Sequence, residues 1–325
     1  MIIARTPFRV SFFGGGTDFQ DHYTQHGGAV LLTTINQYCY LSIHRLSPFF
    51  KHRFRASYAQ TESVLKPEEF QHPLVRECLL HLGVQEGVEI SHVADLPGRT
   101  GLGTSSSFTV GLLNALHVWR GERVTAEDLA REAIHVERVR VGDTGGHQDQ
   151  YAAAYGGFLR LDFSAGPRTT VRQLALPAAR LLELEQCLML FYTGIEQSAE
   201  NILTHQRQRT ADNLPYLRQM RDMVDEAERI LTDGQDMAHF GRLLHHTWEL
   251  KKKLAQGISN TIVDQAYEAA RKHGALGGKL LGAGGRGFLL LFAPTDRHAA
   301  IRQALPTLQS VPFRFSSCGS EIIFR

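Results

Sequence analysis

The sequence predicts an α+β fold in two domains, on three observations. Strand-like and helix-like segments follow one another without the strict alternation of a doubly wound sheet. Glycine-rich stretches punctuate them at residues 14–16, 98–103 and 282–287, where a backbone turns sharply or is approached closely. The chain has 325 residues, 43% apolar and 21% charged, which suits a globular protein of about two domains.

The elements follow in order. "RVSFF" at 9–13 and "AVLLTTINQYCYLSI" at 29–43 are rich in β-branched and aromatic residues, and the second is long enough for a strand pair or a bent strand. "VEISHVADLP" is a strand stopped by Pro97. After the second glycine stretch, Phe108, Leu112, Leu113 and Leu116 recur at helical spacing. "TAEDLAREAIHVERV" opens on Thr125 with Asp128 three residues on, a capping box with Asp in place of Glu. "GGFLRLDF" and "QCLMLFYTG" read as strands, and a helical region runs from Ser198 to about Leu254 with breaks expected at Pro215 and Gly234. "TIVDQAYEAARKHG" is a helix closed by Gly274, "GFLLLFA" a buried strand and "RHAAIRQALPTL" a final helix. The boundary falls in 167–185, giving an N-terminal domain over 1–178 and a C-terminal domain over 179–325.

Composition excludes several functions. Net charge is +2, from 35 basic and 33 acidic residues, without the basic excess of a nucleic-acid binder. Cys39, Cys78, Cys187 and Cys318 form no C-x-x-C pair, so neither a zinc ribbon nor a disulfide framework is expected. Arg5 and Arg9 interrupt the apolar N-terminal run, and no apolar run approaches the roughly 20 residues of a membrane helix. The expectation is a cytoplasmic protein with reduced thiols.

The chemistry concentrates in four places. "LPGRTGLGTSSSFTVGLLNAL" sets Gly98, Gly101 and Gly103, with Leu102, among the hydroxyls of Thr104, Ser105, Ser106 and Ser107, just before a helix. Glycines admit a ligand to the backbone, and a helix start offers unpaired N–H groups, so a phosphate site is favoured over a plain capped loop. "GAGGRGF" at 282–288 matches G-x-G-x-x-G but precedes a strand, so it is a tight turn or a second wall of the phosphate pocket. Lys279 before it lacks the surroundings of a Walker A lysine. "SFFGGGTDF" places Thr17 and Asp18 after Gly14, Gly15 and Gly16, as a turn or as a holder of sugar hydroxyls. "GDTGGHQDQYAAAYGG" sets Asp149 at a helix start, where it is a solvated carboxylate or a general base. The run 251–253 reads as a solvated helix face, and the pairs His22/His26 and His245/His246 as structural or surface residues.

These motifs in this order resemble the GHMP kinases, the galactokinase, homoserine kinase, mevalonate kinase and phosphomevalonate kinase superfamily. "TPFRVSFFGGGTDF" resembles its first motif, "LPGRTGLGTSSSFTVG" its nucleotide-phosphate loop and "GGKLLGAGGRGFLLLF" its third motif. The resemblance implies a first domain like domain 2 of ribosomal protein S5, a ferredoxin-like second domain, and an active site between them. It implies ATP and Mg2+ as co-substrate and metal, with a sugar phosphate as the other partner. A homodimer is left open, and no nucleic acid or membrane is implied.

Residue by residue, the resemblance makes Asp149 the catalytic aspartate and Arg9 the catalytic cation. It gives Gly15, Gly16, Thr17 and Asp18 to the substrate, and Arg286, where the family has glycine, is a substrate candidate by its charge alone. It gives Gly98, Gly101, Leu102, Gly103, Thr104, Ser105, Ser106, Ser107, Gly284 and Gly285 to ATP, and Ser105 and Glu137 to magnesium. Within the superfamily, "FFGGGTDF", "GGHQDQYAAAYGGF", "LMLFYTGIEQSAENIL" and "GALGGKLLGAGG" resemble the heptose-7-phosphate 1-kinases, with His147 and Arg286 as departures from the usual lysine and glycine. The implied reaction is phosphorylation of the C1 hydroxyl of a heptose 7-phosphate. Other C1 sugar kinases (fucose, galactose, N-acetylhexosamine) and a non-catalytic sensor remain as alternatives. The phosphate already on the sugar requires cations, with Arg53, Arg99, Arg138, Arg140, Lys251 and Arg286 as candidates.

Overall fold

The computed structural model describes residues 1–166, 168–194 and 200–325. The first strand, β1 (Ile2–Phe13), begins well before the expected "RVSFF", and helix α1 (Gln20–His26) leads into β2 (Gly28–Arg45). β2 is one 18-residue strand, not two. It pairs antiparallel with β1 from Ile2–Ile43 to Phe13–Leu31, with a register shift at Pro7/Phe8. Pro7 has no N–H to give the ladder, so an irregularity in mid-strand is its physical consequence.

Next come β3 (Phe54–Ser57), β4 (Thr61–Val64), α2 (Pro73–His81) and β5 (Val88–Ala94). The glycine loop then opens α3 (Thr104–Trp119), followed by α4 (Ala126–Ile134), a π-helical turn (His135–Arg140) and α5 (Gln148–Tyr155). Thr125 caps α4 as expected, accepting from the Asp128 N–H at 3.1 Å. β6 (Phe158–Phe163) and β7 (Thr170–Gln173) complete this half. β2 is the spine of the large sheet. Its first half pairs with β6 and its second half with β5, both antiparallel.

The second half runs through α6 (Ala178–Gln186), β8 (Leu188–Tyr192), α7 (Glu200–Gln208), α8 (Thr210–Thr232), α9 (Ala238–Leu254) and α10 (Thr261–Lys272). It continues with β9 (Gly277–Leu280), β10 (Phe288–Phe292), α11 (His298–Ala304), β11 (Gln309–Val311), β12 (Phe315–Ser316) and β13 (Glu321–Phe324). Four of these strands form a second, antiparallel sheet in the order β11-β8-β10-β9. Ser198, the expected helix start, lies outside the described residues. Gly234 separates α8 from α9 as expected, but Pro215 lies inside α8, as its sixth residue. Lacking an N–H, Pro215 costs α8 one ladder bond in its second turn, and the helix nevertheless runs on through it.

The two halves are joined by the returning chain and by the core. β13 pairs with β1, and β12 with β2, so the last strands belong to the first sheet. The Phe240 ring on α9 meets Phe12 and Phe13 of β1 edge-on, at centroid distances of 5.4 and 5.0 Å. This contact brings the end of β1, with its glycine loop, against the second half.

α3 lies directly on β1 and β2. A Cβ on Gly111 would stand 2.6 Å from Thr6 Oγ1 and 3.2 Å from Leu41 Cδ1. Gly111→Val should therefore destabilise the fold by about 1–3 kcal/mol, as overpacked sites do. Urea unfolding checks this, and an unchanged midpoint would show that α3 has room to move.

Candidate active site

The loop before α3 leaves the helix start without a side-chain cap. Gly103 takes the N-cap position with φ 73° and carries no side chain to bond the first turn. The ladder begins only at the Ser107 N–H, which reaches the Gly103 carbonyl at 2.9 Å. The N–H groups of Thr104, Ser105 and Ser106 are thus the unpaired ones that every helix start offers, and they carry the positive end of its dipole.

The second and third glycine stretches touch backbone to backbone. A Cβ on Gly101 would lie 2.5 Å from the Leu281 carbonyl oxygen, one on Gly282 2.4 Å from Gly101 Cα, and one on Gly287 2.1 Å from the Thr100 carbonyl oxygen. The "GAGGRGF" loop is thus a tight turn packed directly against the loop at 98–103.

Arg9 joins this loop to a carboxylate. It is 5% exposed. Its Nε and Nη2 donate to Oδ1 and Oδ2 of Asp149 at 2.7 and 2.8 Å, a two-pronged pair, and Nη1 donates to the Gly101 carbonyl. Asp149 sits half-buried in the first turn of α5, and a Cβ on Gly103 would lie 3.4 Å from its Cγ. The catalytic pair implied by the resemblance is therefore assembled beside the phosphate loop.

Asp18 lies deeper. Its Oδ1 accepts from the Gly16 N–H at 3.0 Å, and its Oδ2 from Gln148 Nε2 at 2.9 Å. Burial first, and the nearby Asp149 charge second, push its carboxyl above the ordinary range. Gly146 packs on it so closely that a Cβ would stand 2.0 Å from Oδ2. Thr17 is spent otherwise than expected. Its one hydroxyl proton is shared between the Gly14 and Ala29 carbonyls and its oxygen accepts from the Ala29 N–H, so it closes a turn, fully buried. Gly15 faces open space, with only Gln148 Nε2 at 4.0 Å from a built Cβ. Gly16 is buried against Gln206 and Leu217.

Glu137 comes from the π-helical turn, a feature that recurs at functional sites. It is 2% exposed, and burial pushes its carboxyl up to about 7. Ser106 donates to its Oε2 at 3.1 Å, joined on the same oxygen by Gln150 Nε2 at 3.0 Å and Arg138 Nη1 at 3.4 Å, and the Thr109 hydroxyl also lies against the carboxylate. Ser105, the expected metal partner, is exposed on the helix start. Oε1 of Glu137 is buried without a hydrogen-bond partner. No cluster of three His, Cys, Asp or Glu ligands exists among the described residues. Magnesium in kinases needs only one or two carboxylates besides phosphate oxygens and water, so an orphaned carboxylate oxygen beside serine hydroxyls fits it.

Other expected ligands are placed as follows. Thr104 Oγ1 accepts from the Arg99 N–H, and Ser107 Oγ donates to the Pro7 carbonyl at 2.8 Å, tying α3 to β1. Leu102 is fully buried, and Gly98 stands in open space. Gly284 and Gly285 pack against the turn at Gly257 and Ile258. Arg286 is half-buried in the third loop. Among the candidate cations, Arg53 donates to the Gln85 carbonyl and Arg140 pairs with Glu77, whereas Arg138 reaches the site, holding Asp143 and the Gly146 carbonyl. Lys251 is not on a solvated face: it is 8% exposed and donates to the Leu280 and Gly282 carbonyls. Apolar neighbours along α9 hid it, because a charge run reads the same on either face. His147 is buried, its Nδ1 3.0 Å from the Tyr23 hydroxyl, and burial then Arg138 lower its pKa to about 4. It is therefore neutral at pH 7 and adds no charge beside Asp149.

An arginine-clamped carboxylate next to a helix start that presents free N–H groups is what phosphoryl transfer to a hydroxyl demands, since that chemistry is mostly positioning and charge stabilisation. The site and fold define a phosphotransferase. Residues 73–157 match the family model of the GHMP kinases N terminal domain, and residues 223–308 that of the GHMP kinases C terminal. Together these take in more than half of the chain, which belongs to the GHMP kinase superfamily. A D-glycero-alpha-D-manno-heptose 7-phosphate kinase of Campylobacter jejuni is 29% identical over 314 residues, 93% of this chain and 92% of that protein. The L-fucokinase/L-fucose-1-P guanylyltransferase of Bacteroides fragilis is 30% identical over 222 residues, 66% of this chain but only 23% of that longer protein. A crystal structure described as a D-glycero-D-manno-heptose 1-phosphate kinase from Bacteroides thetaiotaomicron superposes with a TM-score of 0.82 at 25% identity, covering 100% of this chain and 99% of that one. No helix among the described residues is long and apolar enough to cross a membrane.

Two outcomes follow from this geometry. Ser106→Ala removes a buried hydrogen bond to Glu137 and should lower stability by about 1 kcal/mol, while exposed Ser105→Ala should stay within about 0.5 kcal/mol of the parent. Equal effects in urea melts would sink the assignment of Ser106. For His147, the folded value near 4 lies below the ordinary 6.5. Between these values the unfolded chain binds the proton and the folded chain does not, so stability falls as pH drops from 6.5 to 4. His147→Gln should lose less of its urea midpoint between pH 7 and pH 5 than the parent does.

Proposed function

We propose that this kinase transfers the γ-phosphoryl group of ATP to the C1 hydroxyl of a heptose 7-phosphate, D-glycero-D-manno-heptose 7-phosphate, giving the 1,7-bisphosphate. The observation that carries the reading is Asp149, held on both oxygens by Arg9 next to Gly103. The acceptor follows the Campylobacter relative, which is named for that substrate and matches this chain almost end to end.

The ATP phosphates lie on the N–H groups of the α3 start. The sugar C1 oxygen attacks the γ-phosphorus, the bond to the ADP oxygen breaks, and the hydroxyl proton passes to the Asp149 carboxylate. Arg9 keeps that carboxylate aimed and offsets charge on the moving group. Asp18 and Gln148, joined at 2.9 Å, hold sugar hydroxyls, and Gln148 Oε1 is buried and still unpartnered. Magnesium, when bound at Glu137, would neutralise phosphate charge, with Ser106 as the serine beside that carboxylate in place of Ser105. Arg138 and Arg286 are the candidates for the 7-phosphate.

Asp149→Asn should leave ATP affinity unchanged and lower kcat by about 10²–10⁴, the range of a general base. Near-normal turnover would leave Asp149 a purely positional role. An ADP-release assay over a panel of sugars tests the acceptor. The heptose 7-phosphate should exceed the free heptose in kcat/KM by at least ~10², because a phosphate site left empty strands its cations. Fucose turned over as efficiently would favour the second reading, a fucose C1 kinase, which rests on the Bacteroides fragilis relative. No stimulation by any sugar, with ATP still bound, would leave a sensor.

A further inference from the structure

Two lysines that the chemistry above does not use lie under the three glycine loops. Lys279 on β9 is 3% exposed and Lys251 on α9 little more. Among the described residues neither ammonium forms an ion pair with a carboxylate. Lys279 donates to the Phe12 carbonyl at 2.9 Å, and Lys251 to the Leu280 and Gly282 carbonyls at 2.8 and 2.6 Å.

One of those carbonyls, that of Gly282, lies in a glycine loop, and the other two lie at the strand ends that lead into one. Phe12 leads into Gly14, and Leu280 into the third loop, whose Gly282 rests on Gly101 of the second. Arg9 takes the Gly101 carbonyl from the other side. Three basic side chains thus fasten three loops by their backbones. They also crowd one another: burial and Arg9 lower Lys279 to about 7 against the opposing charge of Asp18, and burial, Lys279 and Arg9 lower Lys251 well below its ordinary value. Asp149 is already taken by Arg9, and Asp18 by Gly16 and Gln148. A buried ammonium bonded only to carbonyls is expensive, and replacing such a charge with an apolar side chain of similar volume is often neutral or stabilising.

We propose that Lys251 and Lys279 are positioning residues that hold the three glycine loops in register, and that their charge is offset by the nucleotide phosphates bound at these loops. Among the described residues the protein opposes that charge only through Asp18 near Lys279. This rests on the reading that the loops take ATP. It predicts that the lysines cost stability in the free protein and return it as affinity for phosphate. A merely structural pair would do the opposite.

The test uses the full chain as parent, Lys251→Met and Lys279→Met, in thermal melts without nucleotide and in calorimetric titrations with ATP and with adenosine. Melting temperatures should hold or rise, ATP should bind at least about tenfold more weakly, and adenosine affinity should not change. Equal losses for ATP and adenosine, or unchanged ATP affinity, would overturn the proposal. If the methionine variants do not fold, that too counts against it. Lys251→Arg and Lys279→Arg, which keep the charge, should then preserve the ATP-to-adenosine ratio within about threefold, and a tenfold fall would overturn the role of charge. A parent protein that binds no ATP refutes the nucleotide reading itself, whereas a parent that binds ATP alongside unaffected variants refutes only the lysines.

Discussion

Everything in the site hangs on the guanidinium of Arg9. It is buried on β1, it clamps both oxygens of Asp149, and it takes the carbonyl of Gly101. One planar group therefore fixes three distances at once: strand to α5, strand to phosphate loop, and carboxylate to phosphate loop. A lysine would supply the charge without the fork, and the carboxylate would lose its fixed orientation. The Pro7 irregularity two residues earlier sets the register in which Arg9 meets the loop, and the Ser107 hydroxyl on the Pro7 carbonyl anchors the start of α3 to the same point.

Close backbone contact is the second constraint. The loops at 98–103 and 282–287 approach until no Cβ fits between them. Such contact lets N–H groups and carbonyls act as the site's polar lining, and it leaves cations to hold the carbonyl side. The glycines are required by this approach more than by flexibility.

The motifs were legible because their residue types have few other uses. A glycine and serine run before an apolar helix favours a phosphate site by itself, whereas an Asp at a helix start is ordinary and took its role only from the resemblance. Partners were less legible. Ser105 and Ser106 are chemically identical and adjacent in sequence, and only the rotation of α3 against the π-helical turn decides that Ser106 meets Glu137. Thr17 looked like a sugar ligand and proved to close a turn, since a buried hydroxyl takes the backbone groups nearest to it. The short strands β3, β4, β9 and β11 gave no periodic signal over three or four residues.

The sequence by itself determined the fold class, the order of the long elements and the motifs that mark the GHMP kinase superfamily. Periodicity, capping and glycine spacing are local, and local signals survive in one dimension. The tertiary structure alone decided that β12 and β13 return to the first sheet, that Lys251 faces inward, and that Lys279 reaches Phe12 across 267 positions of chain. Those outcomes depend on which surfaces meet, and burial turns the same charge run from a solvated face into a cationic floor.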